Sequence, residues 1–264
     1  MSASDPNARP LANVYDAAFY AELSDEVRSS AEVVVPIVLD LLAPRSILDV
    51  GCGHGSWLRV FEEFGVTDVL GADGPHVSRD ELEIAPHSYL AHDLGAPLSL
   101  GRNFDLVVCL EVAEHLDDVA GTQLVASLVA HSGAVLFSAA IPRQGGAGHI
   151  NERWQSHWAR AFAAHGYQCV DIIRPLVWFD TRVAFWYAQN TLLYVRDPGN
   201  RLQAKIVDVP LDLVHPRLYL RAQMPKKPQP PSLRRAIREV PAAARRAISS
   251  RFTTLREHET RAAK

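Results

Sequence analysis

Cysteine and methionine are scarce in this chain, with three Cys and two Met in 264 residues. Cys52, Cys109 and Cys169 stand far apart with no C-x-x-C spacing. That pattern excludes a disulfide frame and a cysteine-bound zinc site, and it points to a reducing compartment. Cys52 and Cys109 fall beside expected strand ends and read as small buried thiols. Long apolar runs are missing as well. The longest, Val33 to Ala43, is broken by Pro36 and Asp40 and is too short to cross a bilayer. The opening residues MSASDPNARPLA lack the apolar stretch of an export signal. A soluble, cytoplasmic protein is therefore expected. What is present is an ordinary globular composition, 48% hydrophobic and 22% charged, which suffices for one generous domain with extensions.

Positive charge is also scarce, except at one end. Residues 226–264 carry eleven Lys/Arg against three Glu, a surplus of +8, so a total of −3 leaves −11 on residues 1–225. An acidic body of this kind does not suit a dedicated nucleic-acid enzyme. Beyond the Pro-rich linker MPKKPQPPS, apolar residues from Leu233 to Leu255 recur every three or four positions among arginines. This spacing predicts a basic amphipathic helix, and residues 232–255 are a candidate for peripheral contact with an anionic membrane at its inner face. Docking onto the acidic body and a solvated tail are the competing readings.

Strands and helices alternate through the middle of the chain. SILDV, TDVLGAD, a short run at Ser88–Ala91, FDLVVCL, GAVLFSAA, YQCVDIIRP and NTLLYV read as strands, with helical periodicity between most of them, and Asn151 to His165 reads as a helix. FDLVVCL is apolar throughout, as a central parallel strand buried on both faces must be. The expected fold is α/β and doubly wound, with helices on both faces of the sheet. Residues 1–44 read as a helical cap and 45–200 as the core domain, with an aromatic-rich insertion near 174–190. Residues 201–225 read as an extension and 226–264 as linker and tail.

The most informative segment is Ser46–Leu58, SILDVGCGHGSWL. A strand ends in Asp49, and Gly51, Gly53 and Gly55 then let the backbone turn tightly and approach a ligand before a helix begins. Helix N-termini favour a carboxylate or phosphate, yet Asp49 would repel a pyrophosphate and suits a ligand with a cationic amino group. Asp73 ends the second strand, where an acid can accept both ribose hydroxyls of an adenosine. His92-Asp93 follows the third strand. LEVAEHL (Leu110–Leu116) ends the fourth and sets Glu111, Glu114 and His115 on one turn.

These segments resemble, in order and spacing, the motifs of class I S-adenosylmethionine (SAM)-dependent methyltransferases, and Asp49 to Gly55 matches the D-x-G-x-G-x-G pattern at every defined position. The resemblance covers residues 45–196. It implies a Rossmann-like seven-stranded sheet and SAM as donor. It also implies a cofactor site comprising Asp49, Gly51, Cys52, Gly53, Gly55, Asp73, His92, Asp93, Leu94 and Leu110. The remainder is similar to a bacterial methyltransferase group associated with glycan genes. E-x-x-E-H is similar to the metal motif of small-RNA 2′-O-methyltransferases and of ubiquinone-pathway O-methyltransferases, which place a further histidine after the fifth strand, where this chain has His149. By that resemblance Glu111, Glu114, His115 and His149 would hold Mg²⁺ or Mn²⁺, a set whose oxygen and nitrogen donors suit hard or borderline cations. The other reading makes Glu111 a strand-end acid and Glu114-His115 a helix-cap pair.

The expected activity is O-methylation of a sugar, a glycan residue or another small polar acceptor, with His149, His115 and Glu111 as the catalytic candidates. Without metal, His149 or His115 would act as general base. Gln144, His149, Asn151, Glu152 and Trp154 in one loop, and Trp178, Trp186, Tyr187, Gln189 and Asn190 later, are candidate acceptor contacts. Tyr15, Tyr20 and Arg28 are candidates to close over the cofactor. Two rival readings remain: an RNA ribose 2′-O-methyltransferase, and a non-catalytic nucleotide-binding regulatory module.

Overall fold

The computed structural model describes residues 17–199, 202, 206–207 and 212–223. Tyr15, the Pro-rich linker and the basic tail lie outside the described residues. The chain divides into two units, Met1–Ala222 and Gln223–Lys264, and the sheet and the sites below belong to the first. Among the described residues no helix is long and apolar enough to cross a membrane.

Eight strands form one sheet. They are β1 (Ser46–Val50), β2 (Asp68–Asp73), β3 (Tyr89–Ala91), β4 (Leu106–Leu110), β5 (Ala134–Ser138), β6 (Gln168–Val170), β7 (Leu192–Val195) and β8 (Ile206–Val207). Their order is β3-β2-β1-β4-β5-β7-β6-β8. β1 to β5 run parallel, β7 is antiparallel to β5 and β6, and the two-residue β8 extends the expected seven strands at the β6 edge.

The helices are α1 (Ala17–Leu42), α2 (Ser56–Glu63), α3 (Asp118–His131), α4 (Gln155–Ala163), α5 (Ile173–Val177), α6 (Phe185–Asn190) and α7 (Pro216–Gln223). Side chains alternate across β4 and so divide the core. Leu106, Val108 and Leu110 pack with residues of α1, α2, α5 and α6, whereas Val107 and Cys109 pack with α3 and α4. This two-sided burial is why FDLVVCL carries no polar residue after Asp105. All three cysteines are free and buried.

Two boundaries differ from the sequence expectation. The strand begun at Gln168 stops at Val170, and Ile173–Val177 turns helical. Arg174 is buried there against Asp171, with two contacts at 2.9 and 2.5 Å, and Pro175 sits in the first turn, where its missing N–H costs nothing. The helix expected from Asn151 starts only at Gln155, which leaves residues 151–154 in the loop that carries His149.

The chain crosses over between β1 and β4, so their carboxyl ends open into the crevice where doubly wound sheets bind ligands. Gly51 closes one wall of it. Its φ is +86°, and a Cβ there would lie 2.2 Å from Val112 Cγ2. Gly51→Ala is therefore expected to lower the melting temperature by several degrees, about 2–4 °C per kcal/mol of strain in a domain of this size. A thermal melt that matches wild type would show that the turn relaxes freely.

Candidate active site

A cleft of 230 Å³ opens at the β1–β4 crossover, lined by Asp49, Gly51, Gly53, Trp57, Leu110 and Tyr187 among others. Cys52, His54, Ser56 and Val27 complete the lining. Asp49 is 2% exposed, and no donor among the described residues reaches its carboxylate. Burial, and then the nearby charge of Asp73, push its pKa well above the ordinary carboxylate value. A buried acid without a donor fits a ligand that brings its own cation. Gly53 adds to the fit, because a Cβ there would meet nothing within 4 Å. Burial also pushes the Cys52 thiol up, so it lines the cleft as an inert group.

Asp73 does more than sequence suggested. Its Oδ2 accepts from the Gly53 N–H at 2.6 Å and its Oδ1 from the Gly74 N–H at 2.6 Å. The carboxylate thus ties the glycine turn to the end of β2, and its remaining lone pairs are what it can offer a ribose. At the first residue of α2, Ser56 Oγ donates to the Glu83 carboxylate. His92 is tied through its N–H to Asp73 O at 2.7 Å, and Asp93 is exposed and closes a turn by accepting from Gly95 N–H at 3.0 Å. Neither residue, nor Leu94, is among those lining the cleft. Arg28 does not close over it either; the guanidinium pairs with Glu63 at 2.8 Å and Glu32 at 3.1 Å.

Beyond Leu110 the chain enters a strained turn. Glu111 has φ +56°, a left-handed conformation that costs a non-glycine residue about 1–3 kcal/mol. It is held there by its N–H, which donates to Ser138 O at 3.0 Å and Ser138 Oγ at 3.1 Å. Glu114 follows, 0% exposed, and neither of its carboxylate oxygens has a hydrogen-bond partner. Burial and the charge of Glu111 raise its pKa well above the ordinary value.

The loop after β5 folds back over this acid. Ile150 and Asn151 N–H both donate to Glu114 O, at 2.9 and 3.0 Å. Glu152 organises the same loop by accepting from Arg143 N–H (2.7 Å), Gly145 N–H (2.6 Å) and His149 Nδ1 (3.1 Å). With Nδ1 donating to Glu152, His149 Nε2 keeps a lone pair, and it lies 3.9 Å from Glu114 Oε1. The His115 and His149 rings meet edge to face at 4.9 Å. Burial and the neighbouring His149 lower the pKa of His115, which favours its neutral, ligating form.

One donor atom from each of Glu114, His115 and His149 lies within 4.8 Å of the others. This trio, with an orphaned buried carboxylate and a carboxylate-oriented histidine, fits a divalent cation. Glu111, the fourth member expected from sequence, is not in the trio. Its oxygens accept instead from Gln144 Nε2 (2.7 Å) and Asn190 Nδ2 (3.1 Å). The aromatics divide: Tyr187 is buried at the cleft, Trp154 is 39% exposed and Phe179 is 88% exposed. Tyr20 falls within α1.

With this geometry in hand, relationships to known proteins become informative. The family described as "Methyltransferase domain" matches residues 23–176. The chain belongs to that methyltransferase family. A ubiquinone biosynthesis O-methyltransferase from Methylobacterium sp. is 31% identical over 114 residues, covering 41% of this chain and 45% of the relative. Its counterpart from Brucella ovis is 32% identical over 115 residues, covering 38% and 45%. The chain thus spans a little under half the length of these relatives. The fold matches that of a sugar N-methyltransferase from Streptoalloteichus sp., with a TM-score of 0.54 at 18% identity, covering 74% of this chain and 98% of the other.

The methyltransferase cleft makes a pH-dependent prediction. Asp49 has a raised pKa in the folded protein, so its ionisation opposes folding: apo stability is highest below its ordinary value and falls as pH rises through the shifted one. Asp49→Asn is expected to raise the apo melting temperature near neutral pH and, in calorimetry, to weaken SAM binding about tenfold or more. A variant that binds SAM as wild type does would remove Asp49 from the cofactor site.

Proposed function

We propose that this methyltransferase-family protein carries a methyl group from SAM to an oxygen of a small polar acceptor, a sugar or glycan residue, with a divalent cation held by Glu114, His115 and His149. The observation that carries the reading is the buried Glu114 carboxylate, unpartnered on both oxygens and faced by two imidazoles at the carboxyl end of β4. SAM supplies a methyl group already activated by its sulfonium. Mg²⁺ or Mn²⁺, when bound, lowers the pKa of an acceptor oxygen, which a sugar hydroxyl requires near neutral pH. The two curated relatives are named for O-methylation, which supports oxygen as the target atom, whereas the sugar methyltransferase of like fold is named for N-methylation.

The chain's own residues set the rest. Asp49 receives the cationic amino group, and Gly51 and Gly53 let the backbone approach it. Trp57 and Tyr187, edge to face at 5.2 Å, close the apolar side of the cleft. Glu152 orients His149 through Nδ1, which leaves Nε2, beside Glu114, to hold the cation or, with no cation bound, a hydroxyl proton. Much of the acceleration comes from aligning acceptor oxygen and methyl group for in-line displacement.

A methyl-transfer screen against nucleotide sugars, glycan fragments and total RNA, with and without EDTA, tests this reading. Sugar-containing acceptors are expected to be methylated and RNA not, because the −11 body repels a polyanion. EDTA is expected to reduce turnover by about 10²-fold or more, with recovery on adding Mg²⁺ or Mn²⁺. Glu114→Gln should abolish that recovery while leaving SAM affinity within about twofold, since Glu114 is not among the residues lining the cleft. Full turnover in chelator would leave His149 or His115 as a metal-free base. SAM binding without any methylated sugar would sink the acceptor assignment.

A further inference from the structure

Residues 189, 190 and 212–215 lie beyond the 23–176 segment that the family matches, yet they reach Glu111 through a directional chain of hydrogen bonds. The chain starts at a group whose role is fixed. A backbone N–H can only donate, and that of His215 donates to Gln189 Oε1 at 2.7 Å. Gln189 must then turn its Nε2 the other way, where it donates to Gln144 Oε1 at 3.2 Å and Asn190 Oδ1 at 3.0 Å. Both amides are held with their oxygens toward Gln189 and their nitrogens toward Glu111, an orientation shared by the Ile141 N–H, which donates to Gln144 Oε1 at 3.4 Å, and by Gln155 Nε2, which donates to Asn190 Oδ1 at 3.5 Å. Gln144 Nε2 and Asn190 Nδ2 donate to separate oxygens of Glu111, at 2.7 and 3.1 Å. Asn190 Nδ2 also donates to Gln144 Oε1 at 2.9 Å, which closes a ring around the carboxylate. Every contact in the ring runs from donor to acceptor only with a group at 111 that accepts on both oxygens. Gln189 and Asn190 are 0% and 2% exposed, so water does not substitute for these partners.

The segment that supplies the first donor is itself anchored. Asp212 accepts from Ser156 N–H and Ser156 Oγ, both at 2.9 Å, at the first turn of α4. Leu213 O accepts from Gln155 Nε2 at 3.0 Å, and His215 Nε2 donates to Trp178 O at 2.8 Å. We propose that residues 212–215 are a positioning arm of the acceptor site: their docking fixes Gln189 and, together with the Ile141 N–H at Gln144, sets the polarity of the Gln189–Asn190–Gln144 chain, which presents Glu111 to a substrate hydroxyl as a fixed hydrogen-bond acceptor. Glu111 would contact the acceptor, and Gln144, Gln189, Asn190 and His215 are positioning residues. The role of Glu111 rests on the acceptor-methylation reading above; the polarity of the chain does not.

Gln189→Met tests the arm, because it keeps the side chain's length and removes both links. Hydrogen exchange of the Gln144 and Asn190 side-chain amides, followed by ¹⁵N NMR of the full chain, is expected to quicken about tenfold, with the β4 and β5 backbone amides unchanged. For a nucleotide sugar that the screen shows to be methylated, KM should rise about tenfold while SAM affinity stays within about twofold. Asp212→Asn, at an exposed residue, should shift both readouts in the same direction, and it decides the matter if Gln189→Met does not fold. Unchanged amide exchange overturns the arm. So does a parallel loss of SAM affinity and melting temperature, which would mark an ordinary packing contact. If the screen yields no acceptor, the exchange measurement still tests the arm, and only the role given to Glu111 falls.

Discussion

The structure turns on the burial of carboxylates at the carboxyl edge of the sheet, where no arginine or lysine among the described residues forms an ion pair with them. Asp49, Glu111 and Glu114 sit at the ends of β1 and β4, and burial raises the pKa of each. Nearby arginines are engaged elsewhere: Arg28 with Glu63, Arg153 with Asp118, Arg182 with Asp180 and Arg174 with Asp171. A folded domain is stable by only about 5–15 kcal/mol, so three such groups are an appreciable fraction of its margin. They persist where a ligand supplies the missing positive charge. A sulfonium amino acid at Asp49 and a divalent cation at Glu114 both answer that requirement.

The three acids are separated by what surrounds them. Asp49 faces a partly apolar cleft with no donor. Glu114 faces two imidazoles. Glu111 is ringed by side-chain amides, which favour an acceptor-only group without contributing charge. One edge of one sheet therefore carries a cleft with a buried acid, a Glu114–His115–His149 trio whose donors fit a cation, and a hydrogen-bond acceptor side by side. The loops around them are pinned by two further acids: Glu152 gathers two backbone N–H groups and His149, and Asp73 ties down the glycine turn.

Much of this was legible in the sequence, because it is local. The glycine spacing, the acids Asp49, Asp73 and Glu111 at the ends of β1, β2 and β4, and the apolar FDLVVCL run sit where backbone freedom and two-sided burial place them. A turn aspartate such as Asp93 or a helix arginine such as Arg28 looks alike in sequence whether it faces ligand or solvent. The removal of Glu111 from the metal trio could not be read, since it depends on Asn190, 79 positions away, and Gln144, 33 away. The 212–215 arm was hidden for the same reason. Its contacts to residues 155, 156, 178 and 189 carry no periodicity, and the only signal was a cluster of amides, Gln189-Asn190, at the end of an aromatic insertion.

Proton release on ligand binding tests the central claim directly. If cations complete these sites, then binding SAM or Mn²⁺ must shift Asp49 and Glu114 toward their ionised forms. Calorimetric titrations in buffers of different ionisation enthalpy, at about pH 5.5, should show net proton release for each ligand. Release should be lost for SAM in Asp49→Asn and for Mn²⁺ in Glu114→Gln. Binding with no proton exchange in wild type, or with exchange unaltered in these variants, would contradict the account.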